Sequence, residues 1–161
     1  MVEAPNTVNF EPCIGIDLGT TNTCVALWNP ENQAVEILVG SDGKRFFPSW
    51  VAYGDDGSHI TVGGAAHTKE NFFYDIKRVI GQSFADLKKD KKFQRSIPYT
   101  IVPSAEARAV VKPFSKISHL RIDPEEISSK VLIECKTIAE RRCGKEVKKA
   151  VITVPAYFNN S

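Results

Sequence analysis

Apolar and polar positions change places along the first third of the chain in short bursts. Residues 13–18 (CIGIDL) and 23–28 (TCVALW) are apolar, partly β-branched runs on either side of Gly19-Thr20-Thr21-Asn22, a pattern that predicts a hairpin. Residues 34–38 (AVEIL) read as a third strand, and Gly40-Ser41-Asp42-Gly43-Lys44 as a turn. Residues 49–53 and 59–63 form a further pair around Asp55-Asp56-Gly57. Three strand signals followed by another pair predict an antiparallel meander.

From 65 to 94 the spacing becomes helical, broken near Gly81, with Ile76, Val79 and Ile80 on one apolar face and a second short helix from Phe84 to about Phe93. Residues 99–103, 107–112 and 114–118 read as three short strands. The clearest helix begins at Asp123. Pro124 suits the first helical position, Glu126 completes an Asp-x-x-Glu capping box, and Gly144 supplies the stop. Ile127, Val131, Cys135, Ile138 and Ala139 recur at three- or four-residue steps and form one buried stripe. Residues 149–155 follow as a strand, and 156–161 as a loop with a helix cap at Asn159, Asn160 or Ser161. This order of elements implies an α/β core carrying an α+β insertion.

Length and charge narrow the classes. At 161 residues the chain suits one domain, or one lobe of something larger. A net charge of +2 gives no support to a nucleic-acid or membrane partner held by bulk electrostatics. The one basic cluster, Lys88-Lys89-Asp90-Lys91-Lys92, reads as a solvated helix face. The opening residues 1–12 have neither the basic nor the apolar region of a secretory signal and read as a flexible tail. No run approaches membrane-span length. The cysteines Cys13, Cys24, Cys135 and Cys143 form no metal-ligand pair and read as buried thiols in a reducing compartment, so the cytoplasm is the expected location.

Candidate chemistry centres on the first hairpin. A Gly-Thr-Thr-Asn tip can present several backbone N–H groups to one anion, and threonine hydroxyls add uncharged donors. Asp17 stands in a run that otherwise reads as buried, where an unpaired carboxylate is costly. A divalent cation beside a polyphosphate, most simply magnesium, would compensate it. A plain hairpin accounts for the same residues, and no Walker-type phosphate loop occurs. Lys77, in YDIKRVIG, is either an exposed helix lysine or a rigidly held cation beside a phosphate, able to orient an attacking water. His59, His67 and His119 have no partner at metal spacing.

The segments IGIDLGTTNTCVA (14–26), YDIKRVIG (74–81) and VITVPAYFN (151–159), with FPSWVAY, VGGAA and DPEEISSKVL between them, resemble the heat shock protein 70 chaperone family, at the start of its nucleotide-binding domain. The resemblance implies an actin-like, ribonuclease-H-like fold. Residues 13–48 and 124–161 would form the core subdomain of the first lobe, and 49–123 a smaller inserted subdomain. It implies ATP or ADP and magnesium, with potassium a further candidate, in a cleft between two lobes. Gly19, Thr20, Thr21 and Asn22 would cradle the β- and γ-phosphates, and Asp17 would engage magnesium through water. Lys77 would position the hydrolytic water, and Pro155 would be the switch that relays nucleotide state. Unfolded client peptides and co-chaperones are the implied partners, through a full-length parent.

Three departures stand out. Arg45-Phe46-Phe47-Pro48-Ser49 replaces the usual Arg-Thr-Thr-Pro-Ser, so two phenyl rings stand near the cleft, either altering water order or simply packing. The connection from Gly63 to Lys77 is shorter than usual, and Asn160 replaces the usual aspartate. The facing lobe would lie beyond Ser161, so the isolated chain is expected to bind nucleotide weakly and to turn over negligibly. A lobe face around Phe46, Phe47 and Tyr157-Phe158 is expected to be exposed and prone to self-association. Two alternatives stay open: a naturally short, non-catalytic interaction protein, and an actin-fold sugar or acetate kinase.

Overall fold

Strands β1 (Cys13–Leu18) and β2 (Asn22–Asn29) pair antiparallel from Ile14↔Leu27 to Leu18↔Thr23, and β3 (Ala34–Ile37) continues the meander on β2. The computed structural model describes residues 11–40, 42–114, 117 and 119–155. The short strand β4 (Phe47–Pro48) adds to the other end of β2, through Thr23↔Phe47. Strand β5 (Val51–Tyr53) opens a second, three-stranded sheet between β6 (Ile60–Val62) and β7 (Asn71–Phe73).

Between 65 and 80 no α-helix forms. Gly64–Thr68 and Ile76–Arg78 are single 3₁₀ turns, with β7 between them. Of the positions that read as one helical face, Ile76 and Val79 are buried and Ile80 is half-buried at this turn, just after Phe73, which is buried beside Val51 of β5. Gly63, at φ 83, turns the chain in a way a side chain opposes. The expected second short helix is two: α1 (Phe84–Lys89), capped by the Ser83 hydroxyl, and α2 (Lys91–Ser96), capped by Asp90. The strands expected at 99–103 and 107–112 form as β8 (Tyr99–Pro103) and β9 (Ala109–Pro113), which pair antiparallel, but Phe114 and Ile117 lie outside any strand, and the rest of that expected strand falls outside the described residues.

The long helix α3 (Pro124–Cys143) follows the expected stripe: Ile127, Val131, Cys135, Ile138 and Ala139 are all buried. They pack with Ile14, Ile16, Val25 and Leu27 on one face of the main sheet. Gly144 ends the helix in the left-handed conformation (φ 65), its N–H on the Glu140 carbonyl. The capping box does not form. Asp123 makes no side-chain cap and faces Arg108 at 3.9 Å, while Glu126 accepts from the Tyr53 hydroxyl at 3.2 Å. Tertiary partners have taken both carboxylates. Burial, and then Glu126, hold the Tyr53 phenol well above its ordinary pKa.

Strand β10 (Lys149–Ile152) then lies parallel to β1, from Cys13↔Lys149 to Ile16↔Ile152, giving the order β10-β1-β2-β3. Among the described residues only one face of this sheet is covered. Cys13, Gly15 and Asp17 alternate outward from β1, with Trp28, Val35, Ile37 and Val151 exposed on neighbouring strands. The expectation of buried thiols therefore holds for Cys135 but not for Cys13, which is exposed on that open face. Phe47 is buried whereas Phe46 is exposed, so one of the two phenyl rings simply packs. Tyr157 and Phe158, and the cap expected at 159–161, fall outside the described residues.

Candidate functional site

The tip between β1 and β2 is Gly19-Thr20-Thr21, with Asn22 as the first residue of β2. Glycine is required at position 19 because a Cβ there would overlap the Asn22 carbonyl oxygen. The tip is held from outside by two distant residues. The Ser49 N–H donates to the Thr21 carbonyl (2.9 Å), and the Ser49 hydroxyl donates to the Gly19 carbonyl (2.8 Å). The Lys77 ammonium donates to the Leu18 carbonyl.

Lys77 reaches that position from a 3₁₀ turn and not from the expected helix. Buried Ile76 and Val79 anchor the turn on either side. Asp75, which opens it, is left-handed (φ 57, ψ 20) and lies 3.5 Å from the Arg78 guanidinium. A non-glycine residue at positive φ is uncommon outside turns and functional sites. Leu18, Gly19, Thr20, Ser49 and Lys77 line a cavity of about 10 Å³ against α3. That is at the lower edge of what one water needs. A larger ligand would meet the tip from its solvent side.

Asp17 corrects the reading of a buried carboxylate. It alternates onto the open face of the sheet and is exposed, so desolvation does not demand a counter-ion. Its Oδ1 accepts a hydrogen bond from the Thr153 hydroxyl (2.7 Å), and the Thr153 N–H extends the β10–β1 pairing to the Ile16 carbonyl (3.0 Å). Pro155, half-buried, follows two residues later, outside regular structure. Among the described residues no group of three or more His, Cys, Asp or Glu side chains converges on a metal position. A single accessible carboxylate nevertheless fits magnesium, which keeps most of its waters and takes other ligands from phosphate.

The tip, Lys77 and Asp17 thus meet at one end of β1, where the hairpin and the distant Ile76–Arg78 turn come together. Ser49, Thr23 and Thr153 were not singled out by sequence reasoning. Serine and threonine beside strands carry no spacing signal of their own, and only the hydrogen bonds mark them.

Comparison with known proteins identifies the family. The family model described as Hsp70 protein matches residues 13–161. The chain belongs to the Hsp70 family, whose fold is of the actin-like ATPase class. It is 38% identical to the heat shock cognate HSP70 protein of Trypanosoma brucei brucei, over 96% of this chain and 23% of that protein. It is 41% identical to the chaperone protein DnaK of Stenotrophomonas maltophilia (strain R551-3), over 92% of the chain and 23% of the relative. A heat shock protein of Pyricularia oryzae is 40% identical over 97% of the chain and 25% of its own length. The chain therefore spans about a quarter of the length of the curated relatives it matches. Among the described residues no helix is long and apolar enough to cross a membrane.

Proposed function

We propose that this chain forms one wall of the ATP cleft of an Hsp70-type chaperone, holding the phosphates of ATP or ADP at the β1–β2 tip. The observation that carries the reading is the convergence at the end of β1. A glycine-dependent tip, a lysine tethered to the carbonyl that precedes it and an accessible carboxylate lie together there. Gly19, Thr20, Thr21 and Asn22 offer peptide N–H and hydroxyl donors to phosphate oxygens. Asp17 would hold magnesium, which when bound neutralises phosphate charge. Lys77 orients the attacking water and steadies charge on the transferred phosphoryl group.

In this reading residues 13–48 and 124–161 belong to the core subdomain, and 49–123 to a smaller inserted one. Pro155, two residues beyond Thr153, relays nucleotide state toward the peptide-clamping part of a full-length protein, where client peptides and co-chaperones engage. The free cysteines suit a reducing, cytoplasmic setting.

One wall alone excludes little water and supplies few of the contacts that hold adenosine, so turnover by the isolated chain is negligible. Calorimetry with Mg-ATP on the chain tests this. Weak binding, weaker than micromolar, with no phosphate release is expected. Micromolar binding with measurable turnover overturns the one-wall reading, and complete absence of binding overturns the phosphate site itself.

A further inference from the structure

The tip is not a free loop: one buried serine holds two of its carbonyls. Ser49 is 9% exposed, and its backbone N–H and its hydroxyl both donate to the tip, to the Thr21 and Gly19 carbonyls respectively. Thr23, 1% exposed, places its Oγ1 2.8 Å from the Ser49 Oγ. A hydroxyl has a single hydrogen to donate. Since the Ser49 hydrogen goes to the Gly19 carbonyl, the Thr23 hydroxyl donates to Ser49, and the proton order runs Thr23 to Ser49 to Gly19. Every hydrogen of this relay is thereby committed.

The consequence for the tip follows from peptide geometry. No peptide bond among the described residues is cis, and a trans peptide carries its C=O and the following N–H on opposite sides. With the Gly19 and Thr21 carbonyls turned toward Ser49, the N–H groups of Thr20 and Asn22 point away from it. We propose that Ser49, ordered by Thr23, is the positioning residue that orients the Thr20 and Asn22 N–H groups toward a bound phosphate chain. This rests on the phosphate reading above and goes beyond it: Ser49 touches no ligand and acts entirely through the direction of two peptide planes.

The relay fits a positioning role better than a purely stabilising one. It joins β4's exit to the tip and to the start of β2 within one group of atoms. A tip left to choose its own peptide orientation would present the Gly19 and Thr21 carbonyl oxygens to a phosphate in part of its population, and binding would fall by that fraction.

The test is a titration of the 161-residue chain with magnesium tripolyphosphate, followed through the backbone amide resonances of Thr20 and Asn22. In the wild type both resonances shift with the probe. In Ser49→Ala the shifts weaken by at least about tenfold in apparent affinity, the scale of a charge-assisted hydrogen bond, while the far-UV spectrum is unchanged. Ser49→Thr, which keeps the hydroxyl, restores binding. A merely structural role would not be rescued in affinity independently of melting temperature. If Ser49→Ala fails to fold, Thr23→Val, which removes the donor that orders Ser49, carries the same titration with a weaker loss of the same sign. Binding by whichever of these two variants folds that equals the wild type overturns the positioning role and leaves the phosphate site standing. No shift in the wild type overturns the phosphate site, and the proposal with it.

Discussion

The Lys77 ammonium donates to the Leu18 carbonyl, joining a 3₁₀ turn to the end of β1 across 59 positions of sequence. A lysine tethered this way has lost much of its rotamer freedom, so its charge stands at a defined place beside the tip. In a full-length Hsp70 carrying this lobe, Lys77→Ala is expected to abolish hydrolysis while leaving nucleotide affinity largely intact. Single-turnover assays beside equilibrium binding separate the two. Loss of binding as well would assign Lys77 to affinity instead of to the reaction.

Gly19 has no room for a side chain, because a Cβ meets the Asn22 carbonyl oxygen. Gly19→Ala must therefore open the tip. The expected destabilisation is about 1–3 kcal/mol, the range for overpacking against a fixed neighbour. Urea unfolding measures that loss, and calorimetry with Mg-ATP should show phosphate affinity falling with it. A variant as stable as the wild type would mean that the tip is looser than its hydrogen bonds indicate.

Glu36 on β3 accepts two hydrogen bonds from Arg142 in the last turn of α3, at 2.8 and 2.9 Å. The Arg142 hydrogen bonds hold the Glu36 carboxyl below its usual value of 4.5. A folded pKa below the unfolded one means that the contribution is fully present above 4.5 and is lost as pH falls through the lower, folded value. Urea unfolding at stepped pH should show Glu36→Gln less stable than the wild type near neutrality, with the gap closing in acid. A gap that stays constant with pH would show that the pair contributes through packing alone.

The cysteines should separate by reactivity. Cys13 is exposed on the open sheet face, whereas burial pushes the Cys135 thiol up to about 12. Iodoacetamide is expected to modify Cys13 in the native protein and Cys135 only after unfolding, as peptide mapping would resolve. Modification of both at equal rates in native buffer would mean that α3 detaches readily from the sheet.

How much of this was legible in the chain varies by element. The stripe of α3 was plain because Ile127, Val131, Cys135 and Ile138 repeat over a helix of 20 residues, long enough for periodicity to dominate. The same kind of spacing around Ile76 and Val79 misled, since short apolar steps also suit a strand followed by a 3₁₀ turn. The capping box at Asp123 has the right letters, yet Arg108 and Tyr53 stand where the two carboxylates reach them. Asp17 was noticed for its company in an apolar run. Its role as a buried charge failed because one face of the sheet is open.

What the amino-acid order determined by itself was local: the hairpin around Gly19, the stripe and glycine stop of α3, the β-branched run of β10, and the motifs that mark the family. Hydrogen bonds and apolar repeats within a few residues suffice for those. Only the tertiary structure placed Thr153 on Asp17 across 136 positions and Ser49 on the Gly19 carbonyl across 30. Such contacts carry no periodic signal, because they depend on where β10 and β4 come to rest against β1 and β2. The polar tip could be read from the chain, but the residues that aim it had to be found in the fold.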